Sequence, residues 1–163
     1  MGPESPSEWV VRWAPQVKRG PVLDVASGAG RHARFFAQRG LEVVAVDREP
    51  QNIPGVEFVQ ADLENGTPWP FARQRFGAVV VTNYLHRPLF DAIVDSLGEG
   101  GVLIYETFMI GNERFGRPSN PDFLLRPGEL REAFASLTVL AFEEGEVARP
   151  KPAMTQRICA RKG

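Results

Sequence analysis

PVLDVASGAGRHARFFAQRGLEVVAVDREP, residues 21–50, reads as strand, glycine turn, helix, turn, strand and then an acid. Val22 to Ala26 is an apolar β run broken only by Asp24, and Ser27-Gly28-Ala29-Gly30 is a turn nearly stripped of side chains. From Arg31 to Gln38, Ala33, Phe36 and Ala37 recur on one helical face, and Gly40 supplies a stop. Glu42 to Val46 is a second, mostly apolar run, as expected of a strand buried on both faces, and Asp47 stands at its carboxyl end. The pattern predicts one β-α-β unit whose glycine turn lies at the carboxyl edge of a parallel sheet, where open α/β folds bind ligands.

Such a turn has a physical task. Without Cβ atoms the backbone approaches a ligand closely, and the N–H groups opening the next helix receive an anion. An acid after the second strand accepts two ribose hydroxyls, so a nucleoside-containing cofactor is expected. Gly28-x-Gly30-x-x-Ala33 with Asp47 also fits a nicotinamide fingerprint. Two further acids separate the readings: Asp24 inside the first strand and Asp62 at the end of the third.

Asp24-Val-Ala-Ser-Gly-Ala-Gly30 resembles the first motif of class I S-adenosylmethionine (SAM) methyltransferases. The Arg31-His32 pair after it is similar to small bacterial members, distantly of the tellurite-resistance type. Asp47 matches the family's ribose acid and Gln60-Ala-Asp62-Leu63 its adenine-facing stretch. Phe76-Gly-Ala-Val-Val-Val-Thr-Asn-Tyr-Leu85 matches the fourth strand and the active-site edge, and Gly100-Gly101-Val-Leu-Ile-Tyr-Glu106 the fifth. The resemblance runs from Pro21 to the C-terminus. It implies an α/β, Rossmann-like class I methyltransferase fold, a seven-stranded, mostly parallel sheet of order 3-2-1-4-5-7-6. It also implies SAM as cofactor, S-adenosylhomocysteine as product, and cofactor contacts from Asp24, Ala26, Ser27, Gly28, Gly30, Arg31, Asp47, Arg48, Asp62, Leu63 and Asn83. Ala26 departs from the family, which usually has glycine there; its methyl is tolerable if its φ is negative.

The 163 residues suit one domain, 1–163, large enough to bury a core. With 43% hydrophobic and 24% charged residues the composition is that of a soluble globular protein, and a formal net charge of −1 offers no global basic field for nucleic acid. One cysteine, Cys159, excludes an internal disulfide and suits a reducing compartment. No apolar run approaches the roughly 20 residues of a membrane span, and Met1-Gly2-Pro3-Glu4 lacks the basic start of a signal peptide. A cytoplasmic location is expected by default. No metal site is expected, since His32, His86 and Cys159 have no zinc-ligand spacing.

Upstream of the opening strand, Ser5-Pro-Ser-Glu8 has the spacing of a capping box for a short helix to about Trp13. Downstream, the stretch from Arg48 to Gly55 holds two prolines and is too short for the usual crossover helix. Val56 to Asp62 alternates as a third strand, and Gly66, Pro68 and Pro70 argue against a long helix after it. The helices after strands two and three are therefore trimmed. Either Trp69, Phe71 and Ile53 fold over those strands, or a second copy does, as a homodimer. A fourth strand spans Phe76 to Leu85, a helix Pro88 to Leu97, a fifth strand Val102 to Thr107, and a short helix Pro127 to Phe134. Thr138 to Phe142 and Met154 to Ala160 complete the sheet, while Phe108 to Arg126 has no clear period. Aperiodic inserts of that length are more often functional than accidental.

Methyl transfer needs alignment more than acid–base help, because a sulfonium leaves as a neutral thioether. The reaction edge is expected after strands four and five, which makes Tyr84, His86 and Glu106 the catalytic candidates. Arg87, Asn112, Arg117 and Asp122, on or beside the insert, are candidates for a small polar acceptor held under a closing loop. Arg149 and Lys151 lie where they could add to that pocket. The alternatives left open are an RNA methyltransferase and a SAM-binding module without catalysis.

Overall fold

A seven-stranded sheet of order β3-β2-β1-β4-β5-β7-β6 organises the chain in a computed structural model that describes residues 5–163. The signal-peptide reading of residues 1–4 lies outside them. The strands are β1 (Val22–Val25), β2 (Val43–Asp47), β3 (Glu57–Gln60), β4 (Phe76–Thr82), β5 (Leu97–Phe108), β6 (Thr138–Val147) and β7 (Ala153–Arg161). The first five are parallel, and β7 runs antiparallel between β5 and β6. Four helices cover the sheet: α1 (Glu8–Trp13), α2 (Arg31–Gln38), α3 (Phe90–Ser96) and α4 (Glu129–Ala133).

Strand alternation divides the core in two. Leu23, Val44, Val79 and Leu103 turn to the side of α3 and α4, while Val22, Ala45, Val80 and Ile104 turn to the side of α1 and α2. β1, β2 and β4 are buried along nearly their whole length, as parallel strands with both faces covered should be. β3 is a half-exposed edge strand.

No helix joins β2 to β3 or β3 to β4. Aromatic and aliphatic side chains take the place of the missing helices. Phe71 stacks edge-on between Trp69 and Phe76 on one face, and Trp69 Nε1 donates to Ser96 Oγ at 2.7 Å. Ile53 is buried on the other face. Of the two covers expected for this edge, the chain's own residues supply one.

Two local expectations fail for identifiable reasons. The helix cap is Ser7, not Ser5: Ser7 Oγ accepts from Trp9 N at 3.1 Å, and Pro6 stays outside the helix. The Phe108–Arg126 insert is held at both ends. Ile110 N donates to Leu125 O at 2.9 Å and Leu125 N to Phe108 O at 3.0 Å, while Met109 and Leu125 join the core on the α3/α4 side. Its period is hidden because two short 3₁₀ turns, Asn112–Arg114 and Pro121–Phe123, interrupt it. No helix among the described residues is long and apolar enough to cross a membrane.

Candidate active site

At the carboxyl edge of β1 the chain enters the glycine turn through three residues with positive φ. Ala26 has φ 55°, Gly28 φ 54° and Gly30 φ 89°. The negative φ on which easy tolerance of the Ala26 methyl depended is not found, and an alanine sits where the backbone favours glycine. At Gly28 a Cβ would meet nothing, so its backbone faces open space. At Gly30 a Cβ would press to 2.6 Å from Ile53 Cδ1, the side chain covering the turn in place of a crossover helix.

Three acids border this turn with different tasks. Asp24, 2% exposed, accepts from Ala33 N at 3.1 Å and so caps the first turn of α2, which Gly30 cannot do. Burial pushes its carboxyl up to about 7, with the Ala33 hydrogen bond and the Arg31 charge pulling the other way. Asp47 accepts from Gly28 N at 3.1 Å through one oxygen and from Glu49 N at 3.0 Å through the other. Each oxygen keeps acceptor capacity for a ligand hydroxyl. Asp62 is exposed beyond β3 and makes a tight turn onto Glu64 N at 2.9 Å. Leu63 packs against the core beside it, and Arg48 is exposed, pairing with Glu49 at 3.7 Å. Ser27 N donates to Val46 O at 3.0 Å, tying the turn to β2. Asn83, at φ 55°, closes the edge after β4.

The candidate reaction residues fall into two groups. Tyr84 donates its hydroxyl to Glu64 at 2.9 Å, and His86 Nδ1 lies 3.6 Å from the same carboxylate. Burial and that carboxylate raise the Tyr84 pKa. Glu106 lies elsewhere, on the α1 side of β5, 8% exposed and bonded through both oxygens: Ser7 Oγ donates to one at 2.5 Å and Arg157 Nε to the other at 2.5 Å.

Glu106 belongs to a cavity of about 420 Å³. Asn83, Glu106, Phe108, Thr155 and Arg157 line it from the sheet, and Val147, Arg149, Pro150, Lys151 and Ala153 from β6, β7 and their connection. Ser5, Pro6, Ser7 and Glu8 close it as a strap, and Arg31 brings it to the end of the glycine turn. The strap is tied down at several points. Arg31 donates to Ser5 O at 3.0 Å, Ser7 N donates to His32 Nε2 at 3.0 Å, and Glu8 pairs with Arg149 at 3.1 Å. His32 is neutral: burial, with the neighbouring Arg31 charge, drops its pKa from the usual 6.5 to about 3. Its Nε2 accepts from Ser7, which leaves the proton on Nδ1, 3.3 Å from Thr82 Oγ1.

None of the four acceptor candidates of the insert lines this cavity. Arg87 braces the insert, donating to both oxygens of Glu129 at 2.6 and 2.9 Å and to the carbonyls of Asp122 and Leu124. Asn112 is buried, donating to Pro118 O and accepting from Met154 N, both at 3.0 Å. Arg117 and Asp122 are exposed. Ser7, Thr155 and Arg157 were not anticipated, because their meeting depends on the β5–β7 register, which sets Glu106 opposite Arg157. The signal available in the sequence was the alternation of Thr155 and Arg157 onto one face of the last strand.

A family model described as a methyltransferase domain matches residues 22–101, the span from β1 to the start of β5 that carries the turn and its acids. Residues 22–101 are thus a methyltransferase domain, and the chain has the class I SAM-dependent methyltransferase fold. Among solved structures, TehB from Haemophilus influenzae superposes on this methyltransferase with a TM-score of 0.74 at 17% identity. That match covers 94% of this chain but 61% of TehB. A SAM-dependent methyltransferase from Mesorhizobium loti has a TM-score of 0.73 at 18% identity, covering 99% of this chain and 100% of the other. Geranyl diphosphate C-methyltransferase from Streptomyces coelicolor, solved with Mg2+, geranyl diphosphate and S-adenosylhomocysteine, has a TM-score of 0.66 at 14% identity, covering 94% and 76%. At these identities the likeness is one of fold. No curated protein matches the sequence.

Proposed function

We propose that the enzyme transfers the methyl group of SAM to a small polar molecule held in the cavity under the Ser5–Glu8 strap. The observation that carries this reading is the position of that cavity. It is lined by Arg31, the first residue after the glycine turn, and by Glu106 at the edge of β5, so one space joins the cofactor turn to the reaction edge. Its volume of about 420 Å³ falls in the range of small-ligand sites.

The residues fit the cofactor. Asp47 offers its half-exposed carboxylate to the ribose, Asp62 and Leu63 flank the base, and the open backbone at Gly28 admits close approach. Asn83 borders the methionine end, Asp24 lies buried behind the turn, and Arg31 is the cation available for the methionine carboxylate. SAM supplies a methyl on a sulfonium that leaves as a neutral thioether. The chain's contribution is to fix that end against the cavity and exclude water with the strap. Tyr84 and His86, gathered on Glu64, brace the loops after β3 and β4, and Glu106 holds Ser7 and Arg157 in place.

Unfolding in the presence of SAM, S-adenosylhomocysteine or NAD tests the cofactor. A ligand at about a hundred times its Kd adds about 2.7 kcal/mol. Stabilisation by NAD alone would overturn the reading, as would unchanged SAM affinity in Asp47→Ala. Labelled-methyl transfer into a metabolite extract and into RNA then separates the acceptors: label in RNA alone favours the RNA alternative, and label in neither favours a binding module.

A further inference from the structure

Among the described residues the cavity has no unpaired carboxylate and no imidazole. Its lining includes two carboxylates, and both are paired: Glu8 with Arg149 at 3.1 Å, and Glu106 with Ser7 and Arg157. No histidine, tyrosine, cysteine or aspartate lines it among the described residues. The cations outnumber the acids there, Arg31, Arg149, Lys151 and Arg157 against Glu8 and Glu106. Lys151 is exposed at the mouth and has no hydrogen bond or ion pair among the described residues. The remaining walls join apolar Pro6, Phe108, Val147, Pro150 and Ala153 to uncharged polar Ser5, Ser7, Asn83 and Thr155.

A neutral alcohol must shed a proton as it is methylated, and no unpaired base among the described residues of this site is placed to take it. An acceptor already ionised needs no base, and the excess of cations favours its charged form. We infer that the methyl acceptor is a small organic anion whose reacting atom arrives ionised, a thiolate or a carboxylate, drawn in by Lys151 with its apolar body against Phe108 and Val147. This rests on the cofactor reading above. A lone pair of the ionised atom forms the bond to the methyl carbon, the sulfur keeps the pair of the bond it loses, and both charges vanish. No proton moves.

The test uses the whole protein saturated with S-adenosylhomocysteine and four probes of similar size: thiophenolate, benzoate, benzyl alcohol and benzamide. Equilibrium dialysis at neutral pH should retain at least one anion in preference to the neutral pair. In Lys151→Ala that retention should weaken about fivefold, the scale of one exposed ion pair, with S-adenosylhomocysteine affinity unchanged. With labelled SAM, base-labile label released as methanol identifies a carboxylate acceptor, and base-stable label a thiolate. Equal retention of all four probes, retention of no anion, or methyl transfer to the alcohol or amide alone would overturn the inference while leaving the cofactor reading intact. Failure to bind S-adenosylhomocysteine would overturn the cofactor reading itself, and the inference with it.

Discussion

Acidification should selectively loosen the strap, because His32 is a proton acceptor in the unfolded chain and not in the folded one. In the folded state His32 is 2% exposed and its Nε2 lone pair is occupied by Ser7 N–H. Its pKa falls from 6.5 to about 3, chiefly through burial. A group depressed in this way contributes stability that is fully present above pH 6.5 and is lost as the pH falls toward 3. At about pH 5 the unfolded imidazole is charged and the folded one is not, a difference of about 2 kcal/mol. Asp24 works in the opposite sense, since burial raises its pKa to about 7. Its contribution is present below 3.8 and is lost as the pH rises through 7. The wild-type profile therefore contains two opposed slopes in one window, and a second protein is needed to separate them. His32→Gln keeps an oxygen able to accept from Ser7 but cannot titrate. Urea unfolding of both proteins at several pH values between about 8 and 5 gives the comparison, and any stability advantage of the wild type should shrink by about 2 kcal/mol toward the acid end. A gap independent of pH would refute the reasoning. So would carbon chemical shifts showing a charged imidazole in the folded protein near pH 5.

Three other outcomes follow from residues that chemistry alone would not single out. Ala26→Gly should stabilise the fold by up to about 1 kcal/mol, the left-handed penalty less the entropy of a looser unfolded chain; a loss measured by urea unfolding would show that the methyl packs to advantage. Arg87→Ala should cost about 2 kcal/mol by leaving the buried Glu129 carboxylate with Arg126 alone, with SAM affinity unchanged. An unimpaired melting temperature with a raised acceptor KM would instead return Arg87 to the substrate. Cys159, fully buried, has its thiol pushed up to about 12, so an aromatic disulfide reagent near pH 8 should label it only as fast as the protein unfolds, and immediate labelling would contradict its burial.

The half of the fold that carries the glycine turn and its three acids is legible from residues 21–62 because its parts are local. Strand, turn, helix and strand follow within one stretch, and Asp24, Asp47 and Asp62 each sit at a fixed place relative to a strand end. The trimmed connections are equally plain, since prolines and short spacing forbid the helices. The acceptor side is different. Its walls come from residues 5–8, 106–108 and 147–157, and no local pattern says that Ser7 meets Glu106 or that Arg157 lies across from it. The insert misleads for a related reason. Aperiodic and polar, it reads as a substrate loop, yet its Asn112 is spent on backbone groups and its Met109 and Leu125 belong to the core. The sign of φ at Ala26 also depends on the turn as a whole and is not readable from one residue type.

The Trp9 indole donates to Ile158 O at 3.1 Å, across 149 positions of the chain, and Ser7 reaches Glu106 across 99. On a ribosome the strap emerges long before the residues that anchor it. β7, inserted between β5 and β6, is what finally gives Trp9 a seat and Ser7 a guanidinium-braced carboxylate. In a nascent or C-terminally truncated chain the glycine turn and its acids are therefore all synthesised while the strap still lacks its anchors, so the roof of the cavity is the last part of the fold to be secured.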